Sequence, residues 1–277
     1  MCGIAGIFNF SSSSIDISSK ITAMTKALAH RGPDGEGFYF DGNITALGHR
    51  RLAIIDCSQA AHQPMQYEHL YLIFNGEIYN YVEIRAQLLN IGYTFVSNSD
   101  AEVLLKAYHH WGEDCLSHFE GMFAFAIWNS ISNRLFIARD RFGEKPLFYT
   151  VQNGVFYFAS EIKAFFATGI IPEINKSYFC QFLSGVKSKK IAQLTDTYFE
   201  NIYQLAPASY IYLDTKSDHK IVAHKYWDIN IFTEKIQFEN AENKLRDHLM
   251  KSISMRLRSD VPLGNSLSGG LDSSTIV

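Results

Sequence analysis

The sequence contains few cysteines, no excess of positive charge and no long apolar run. Its four cysteines, Cys2, Cys57, Cys115 and Cys180, form no C-x-x-C pair, and their spacing supports neither a zinc site nor a disulfide framework. The formal net charge of −3 argues against a general nucleic-acid-binding protein. No apolar run approaches the roughly 18 residues of a membrane span, and the N-terminus lacks the charged and apolar regions of a secretory signal. We therefore expect a cytoplasmic protein with reduced thiols, no metal site, and neither nucleic acid nor a membrane as a partner.

In other respects the composition is that of a globular protein. Its 277 residues are 47% hydrophobic and 19% charged, which is enough to bury a substantial core, and this length indicates about two domains. Apolar runs bounded by turn residues predict a strand at 44–55 and a series of short strands between 121 and 227. Helical spacing of apolar residues predicts a helix at 238–257. The change from strand to helix pattern predicts a domain boundary near 228–239.

Several short patterns give local information. The dipeptide Asn75-Gly76 between apolar flanks predicts the turn of a β-hairpin. The stretch S-D-A-E at 99–102 has the form of a capping box and predicts the start of a helix. The residues His-Arg-Arg at 49–51 lie inside a predicted strand, where their side chains are costly unless they are paired or contact a ligand. The lysine-rich stretch at 187–190 predicts a solvated loop.

Cys2 is the first candidate for chemistry. If Met1 is removed, Cys2 carries a thiol and a free α-amine on the same residue. This pair can supply a nucleophile and its general base together. Such an α-amine titrates near 7.7–8.0, so roughly a tenth of these amines are neutral at pH 7 and able to accept the thiol proton. A cysteine at the second position is common, however, and taken alone this feature is weak.

The second candidate is the Gly- and Ser-rich stretch at 268–274. It follows a predicted strand at 263–267 and opens a predicted helix at 272–275. Main-chain N–H groups at such a junction point toward a bound anion. No lysine follows the glycines, so the stretch is not a Walker loop. The hydroxyl groups of Ser268, Ser273 and Ser274 instead indicate a pyrophosphate-binding loop.

Nine motifs follow one another in the chain: C-G-I-A-G at 2–6, R-G-P-D at 31–34, H-R-R-L-A-I-I-D at 49–56, N-G-E-I-Y-N at 75–80, S-D at 99–100, G-M-F-A-F-A at 121–126, R-D-R-F-G at 139–143, A-S-E-I-K at 159–163 and S-G-G-L-D-S-S at 268–274. Each motif alone has modest specificity, but so many in one order are very specific. Together they resemble the glutamine-hydrolysing asparagine synthetases, or a near relative in that amidotransferase family, over nearly the whole chain.

The resemblance implies an α+β fold in two parts. The first part, at 2–228, would be a class II glutamine amidotransferase domain, built as the four-layer αββα sandwich of the N-terminal-nucleophile hydrolases. The second, at 229–277, would be the start of an α/β ATP-pyrophosphatase domain. The chain ends at Val277, three residues after Ser274, whereas a βαβ unit alone needs about 30 residues. We therefore expect an incomplete second domain and, for this chain, glutamine hydrolysis at most.

The resemblance also implies roles for individual residues. Cys2 would attack the side-chain amide of glutamine and form a thioester, and Asn75 and Gly76 would hold the developing oxyanion. The residues that would bind the amino-acid part of glutamine are Arg51, Ile54, Glu77 and Asp100. Arg51 suits the α-carboxylate because a guanidinium can bind it with two hydrogen bonds, and Glu77 and Asp100 suit the α-ammonium group.

For the second part, the resemblance implies an ATP site at the Gly- and Ser-rich stretch. Its members would be Ser268, Gly269, Gly270, Asp272, Ser273 and Ser274. The full-length enzyme would use ATP, Mg²⁺ and aspartate, with a homodimer as its expected assembly. The glutaminase half-reaction would need no cofactor.

Two other interpretations remain open at this point. The chain could come from a relative that transfers ammonia to a different carboxylate, because an acceptor pocket would lie outside these residues. It could also be a catalytically silent fragment that binds a partner through the apolar face of the helix at 238–257.

Overall fold

The computed structural model describes residues 1–10, 15–184, 195–215, 220–231 and 237–277. The lysine-rich stretch at 187–190 lies outside the described residues. The strands within the described ranges are β1 (Gly3–Asn9), β2 (Gly35–Asp41), β3 (Thr45–Arg51), β4 (Met65–Tyr67), β5 (Leu70–Ile78), β6 (Gly121–Asn129), β7 (Arg134–Arg139), β8 (Phe148–Gln152), β9 (Val155–Ala159), β10 (Ile202–Gln204), β11 (Ser209–Asp214) and β12 (Ala223–Lys225). The helices are α1 (Ile17–Ala27), α2 (Tyr81–Asn90), α3 (Asp100–Trp111), α4 (Cys115–His118), α5 (Lys163–Phe166), α6 (Lys176–Ser184), α7 (Phe238–Arg256) and α8 (Leu271–Ile276).

The strands form two six-stranded sheets. The first has the order β10-β8-β9-β1-β3-β2 and the second the order β12-β11-β7-β6-β5-β4. Neighbouring strands are antiparallel in both sheets. The first strand of the chain, β1, therefore lies in the middle of the first sheet, between β9 and β3. Cys2 immediately precedes this strand and lies at its N-terminal end.

The two sheets and the helices on their outer faces form four layers, and three apolar clusters pack between them. One cluster lies between the two sheets and includes Phe8, Ile73 and Trp128. A second joins the second sheet to α2 and α3, and a third joins the first sheet to α1 and α5. Both faces of β1 are buried, which explains why its sequence is a continuous apolar run rather than an alternating one. The observed order of layers is helix, sheet, sheet, helix.

The hairpin predicted at Asn75-Gly76 is wrong. Both residues lie inside β5 and pair with Ala124 and Phe123 of β6. A two-residue hairpin turn of this type needs positive φ at both positions, and neither residue is among those with positive φ. A Cβ at Gly76 would lie 2.2 Å from the carbonyl oxygen of Met122, so the glycine allows close approach of two strands.

Other local predictions differ in their outcome. The helix at 99–102 begins as expected, because the hydroxyl of Ser99 accepts a hydrogen bond from the main chain of Glu102. The strand predicted at 44–55 ends at Arg51. The strand predicted at 263–267 is wrong: these residues have no regular structure, because no strand of the described ranges lies beside them to complete a ladder.

The helix predicted at 238–257 is present as α7, but it packs little. Only Met255 of this helix is buried, and Phe238, Leu245 and Leu249 on its expected apolar face are exposed. Within the described ranges, no helix is both long and apolar enough to cross a membrane.

Candidate active site

One pocket collects the residues that the sequence singled out in the first part of the chain. It lies between the N-terminus, the end of β3, the end of β5 and the start of α3. Its lining includes the seven candidates Cys2, Arg51, Ile54, Asn75, Gly76, Glu77 and Asp100. Residues missing from the sequence prediction also line it, among them Leu52, Gln63, Ser99, Met122 and Lys145. The stretch at 268–274 does not contribute to this pocket.

The sulfur of Cys2 is held beside the main chain that follows β3. Leu52 N–H donates to Sγ at 3.3 Å, and Sγ lies 3.5 Å from Leu52 O, to which the thiol donates. Burial raises the pKa of the Cys2 thiol, so the thiol needs a base close by to become a nucleophile. Burial also lowers the pKa of the amino group of Met1. The amino group of Met1 is thus more readily neutral than a solvated one.

The N-terminus is fixed by an arginine that the motif at 31–34 contains. Arg31 donates from Nε to Cys2 O at 2.8 Å and from Nη1 to Glu161 at 2.9 Å. Burial alone would raise the pKa of Glu161, but hydrogen bonds from Arg31, His30 and Lys163 lower it to about 2. Motifs far apart in sequence therefore hold the candidate nucleophile in place.

Asn75 is the most unusual polar residue of the pocket. Its side chain is fully buried, and neither its amide oxygen nor its amide nitrogen has a hydrogen-bond partner among the described residues. A buried amide without partners destabilises the fold. A ligand in the pocket would supply the missing hydrogen-bond partners of this amide. The amide N–H could donate to a negatively charged oxygen of the ligand.

The main chain before Asn75 is supported by two side chains, of which the sequence analysis missed Gln63 and named His49 without a role. The Gln63 amide oxygen accepts from Phe74 N–H at 2.6 Å, and His49 Nε2 lies 3.1 Å from Phe74 O. Burial lowers the pKa of His49 to about 3, so this ring is neutral and donates through Nε2. The signal for His49 was its place in a buried strand beside two arginines.

Arg51 is buried at the end of β3. Its Nη1 donates to Ser58 O at 2.8 Å, and its Nη2 donates to Asp56 O. A guanidinium has five N–H groups, so these two contacts orient the side chain without using all of its donors. The loop after β3 thus fixes the positive charge that lines the pocket.

Two acids face the same pocket. Asp100 is buried, and its Oδ2 accepts from Ile78 N–H at 3.0 Å. Burial, helped by the nearby charge of Glu77, raises the pKa of Asp100 to about 7. Burial likewise raises the pKa of Glu77. Both acids would be stabilised in their charged form by a cationic group in the pocket.

Lys145 is a pocket residue that no motif pointed to. Its Nζ lies 3.2 Å from the sulfur of Met1, and burial lowers its pKa. Its main chain is held by Asp140, whose carboxylate accepts from the amides of Phe123, Phe142, Glu144 and Lys145. The only signal in the sequence was a lysine two residues after Gly143, in the connection between β7 and β8.

The stretch at 268–274 lies apart from this pocket and is exposed. Gly269 has φ +77°, and Ser268 and Ser273 approach within 2.9 Å through their hydroxyls. Helix α8 starts at Leu271. The hydroxyl groups of Ser268 and Ser273 and the main-chain N–H groups at the start of this helix therefore lie at one turn, and such donors fit phosphate oxygens. Among the described residues, no three His, Cys, Asp or Glu side chains come together to hold a metal ion.

Comparison with known proteins supplies the family. A model described as a glutamine amidotransferase domain matches residues 1–227, and one described as asparagine synthase matches residues 244–277. The chain is 39% identical over 281 residues to glutamine-hydrolysing asparagine synthetase 1 of Bacillus subtilis (strain 168), covering 100% of this chain and 43% of that protein. It is 36% identical to the amidase chry2 of Gibberella zeae, covering 90% of this chain and 37% of that one.

The fold is also similar to a solved structure. The glutamine phosphoribosylpyrophosphate amidotransferase from B. subtilis, complexed with ADP and GMP, matches with a TM-score of 0.60 and 22% identity over 83% of this chain and 50% of that one. This similarity agrees with the observed order of layers and confirms the four-layer αββα sandwich. The chain spans less than half the length of the two curated relatives named above. Since the first family model matches well over half of the sequence, this chain belongs to the glutamine amidotransferase domain family.

Proposed function

We propose that the chain, once Met1 is removed, hydrolyses glutamine to glutamate and ammonia with Cys2 as nucleophile. The observation that carries the proposal is Asn75: a fully buried amide without a partner among the described residues lines the same pocket as the Cys2 sulfur. An amide kept in this state is stabilised when an oxyanion forms next to it. One donor of this kind contributes about 2.7–4 kcal/mol to lowering a barrier.

The proposed reaction needs only the thiol and the α-amine of Cys2, the donors at Asn75 and Gly76, and water. The α-amine of Cys2 accepts the thiol proton, and the thiolate attacks the carboxamide carbon of glutamine. Asn75 and Gly76 donate to the oxyanion of the tetrahedral intermediate. The C–N bond then breaks, the α-ammonium returns a proton to the leaving nitrogen, and ammonia departs. Water attacks the thioester in the same manner and releases glutamate.

The pocket suits an amino acid better than a bare amide. Arg51, oriented by the carbonyls of Asp56 and Ser58, would bind the α-carboxylate. Glu77 and Asp100 would bind the α-ammonium group, and Ile54 would contact the aliphatic part of the substrate. Charges of both signs in one pocket favour a zwitterion.

A glutaminase assay tests this proposal. Wild type should release glutamate, and Cys2→Ala should reduce the rate to background. Cys180→Ala is the matched control, because Cys180 is exposed on α6 and should leave the rate unchanged. Equal background rates for wild type and Cys2→Ala would refute the proposal and favour a catalytically silent fragment that binds a partner.

Mass spectrometry of the purified protein tests the same proposal independently. The expected mass lacks Met1, because Cys2 has no free α-amine while Met1 remains attached. An active protein that retains Met1 would contradict the assignment of the α-amine as the base.

We further propose that a protein as long as the curated relatives uses the released ammonia to amidate aspartate with ATP and Mg²⁺, as a cytoplasmic homodimer. The support is the match at residues 244–277 and the donor set at 268–274. Ser268, Gly269, Gly270, Asp272, Ser273 and Ser274 would hold the phosphate oxygens of ATP, which supplies activation of the acceptor carboxylate. Asparagine formation by such a protein, lost on Ser273→Ala, is the expected result. Its dimeric state can be measured by light scattering.

A second candidate concerns only the acceptor. One similar protein, the amidase chry2, is not named as an asparagine synthetase, and this favours an acceptor other than aspartate as the alternative. Glutamine-dependent activity without asparagine formation would support this candidate.

A further inference from the structure

The segment after α7 contacts the loop after β3, which lines the glutamine pocket, and the turn after β5. Arg256 ends the helix, and the next residues pass over the loop that follows β3 and the turn that follows β5. We call residues 256–260 the strap. Its hydrogen bonds to the first part of the chain are made by Arg258 and Asp260, and Arg256 stacks over the Tyr79 ring at 4.6 Å.

Asp260 holds the loop after β3 with two hydrogen bonds. Its main-chain N–H donates to Ile54 O at 3.0 Å, and its Oδ2 accepts from Asp56 N–H at 2.7 Å. The loop has no regular secondary structure, and Asp56 has a φ of +52°, a value that is uncommon for residues other than glycine although aspartate adopts it more often than most. An external acceptor for the Asp56 amide therefore stabilises this conformation.

The same loop shapes the pocket. Ile54 lines it directly, and Arg51 is oriented by the carbonyl of Asp56. The carboxylate of Asp56 accepts from Ser58 N–H and from Asn98 N–H, just before α3. Asp260 thus acts on the pocket through the turn at 54–56. Ile54 at its start lines the pocket, and Asp56 at its end binds the Arg51 guanidinium.

Arg258 contacts the turn that follows β5 and the start of α2. Its Nη1 donates to Tyr79 O at 2.6 Å, and its two terminal nitrogens each lie 2.6 Å from one carboxylate oxygen of Glu83. Tyr79 follows the end of β5, the strand that carries Asn75 and Glu77. The Glu83 side chain is 51% exposed, and exposed ion pairs contribute little energy. We therefore expect Asp260 to have the larger effect.

We propose that Asp260 is a positioning residue of the glutamine site, which keeps the Ile54–Asp56 turn in the conformation that presents Ile54 and Arg51 to the substrate. This inference rests on the proposed glutaminase function. Asp260 does not touch the substrate in this scheme, so its removal affects binding of glutamine more than the chemical step.

Steady-state kinetics of the whole chain test the proposal. Asp260→Ala removes the acceptor of the Asp56 amide and should raise the KM for glutamine roughly threefold to tenfold, the effect of one lost hydrogen bond. The kcat should change by less than about twofold. Asp260→Asn keeps an oxygen acceptor and should restore the KM. The matched control is Asp247→Ala, an exposed aspartate on α7.

Amide hydrogen exchange separates this proposal from the proposed function. Exchange at 54–58 should be faster in Asp260→Ala than in wild type, Asp260→Asn or Asp247→Ala. An inactive wild type with this exchange pattern would refute the glutaminase assignment but leave the contact intact. Unchanged exchange and an unchanged KM in Asp260→Ala would overturn the positioning role. A loss of affinity that is equal in Asp260→Ala and Asp260→Asn would also overturn it.

Discussion

The side chain of Asn75 is buried at a cost to folding, since its amide lacks partners among the described residues. Asn75→Ala should therefore leave the unfolding free energy within about 1 kcal/mol of wild type, because the lost contacts are offset by removal of an unsatisfied group. The same change should lower the kcat of glutamine hydrolysis about 10²- to 10³-fold, because one oxyanion donor is removed. Denaturant unfolding and steady-state kinetics measure the two effects.

The control for Asn75 is Asn90→Ala, at the exposed end of α2, which should alter neither quantity. An unchanged kcat in Asn75→Ala would show that this amide does not face the transition state.

Asp100 gives glutamine binding a pH dependence. Burial raises the pKa of its carboxyl to about 7, so the group is neutral at lower pH and cannot pair with an ammonium ion. In the inactive Cys2→Ala background, we expect the Kd for glutamine to decrease about tenfold for each unit by which the pH rises, as long as the pH is well below 7. Above pH 7 the Kd should become constant. Asp100→Asn should bind glutamine weakly at all pH values. Calorimetry from pH 5.5 to 8.5 tests this, and parallel pH profiles for both proteins would contradict it.

Folding stability should change in the opposite direction with pH. The pKa of Asp100 is higher in the folded state than the usual 3.9 of an unfolded chain, so the folded state binds this proton more tightly. The stabilisation of the folded state by this proton is complete below about pH 4 and is lost as the pH rises through about 7. In the absence of ligand, Asp100→Asn should therefore gain stability relative to wild type between pH 5 and pH 8, by an amount on the order of a few kcal/mol.

Residue types that carry chemistry could be found from the sequence, because each belongs to a motif. Cys2, Arg51, Asn75 and Asp100 come from four separate motifs and line one pocket, while their roles stay predictions. Lys145 was missed because its approach to the N-terminus depends on how Asp140 folds the turn before it. No periodicity in the sequence encodes a contact between residues 1 and 145.

At the scale of elements, β5 shows where local signals fail. Asn75-Gly76 has the strongest short-range hairpin signal, yet the strand continues through it because β6 supplies a complete partner from Asn129 to Gly121. The pair Asn153-Gly154 separates β8 from β9 and has φ values of +53° and +74°, as a turn requires. The same dipeptide is thus strand in one place and turn in the other, and pairing with β6 fixes the first.

Gly76→Ala tests the close approach of β5 and β6. The added Cβ would lie 2.2 Å from Met122 O, a main-chain atom that cannot rotate away. The strands must separate, so the unfolding free energy should fall by about 1–3 kcal/mol, and Asn75 should lose its position. Gly264→Ala is the control, because a Cβ there meets nothing within 4 Å. Equal stability of both variants, measured by denaturant unfolding, would contradict the strand assignment of Gly76.

At the scale of the molecule, the three apolar clusters lie within the two sheets and the helices that cover them. Their buried members in the described ranges run from Ile4 to Leu213, and α7 contributes none of them. The four-layer order was predictable because the motifs resemble one family. The exposure of α7 was not, because an apolar face in the sequence does not specify what covers it.

Hydrogen exchange should divide the chain accordingly. Amides of β5 and β6 are protected by pairing and by burial on both faces, so they should exchange only through global unfolding. Amides at 240–250 lie in a helix whose side chains are exposed, and most of the stability of a protein helix comes from packing of its apolar face. They should therefore exchange orders of magnitude faster, while the end of α7 near Met255 should be slower because Arg258 and Asp260 hold it against the sheets. Uniform protection along α7, measured at neutral pH, would show that its exposed face is covered in solution.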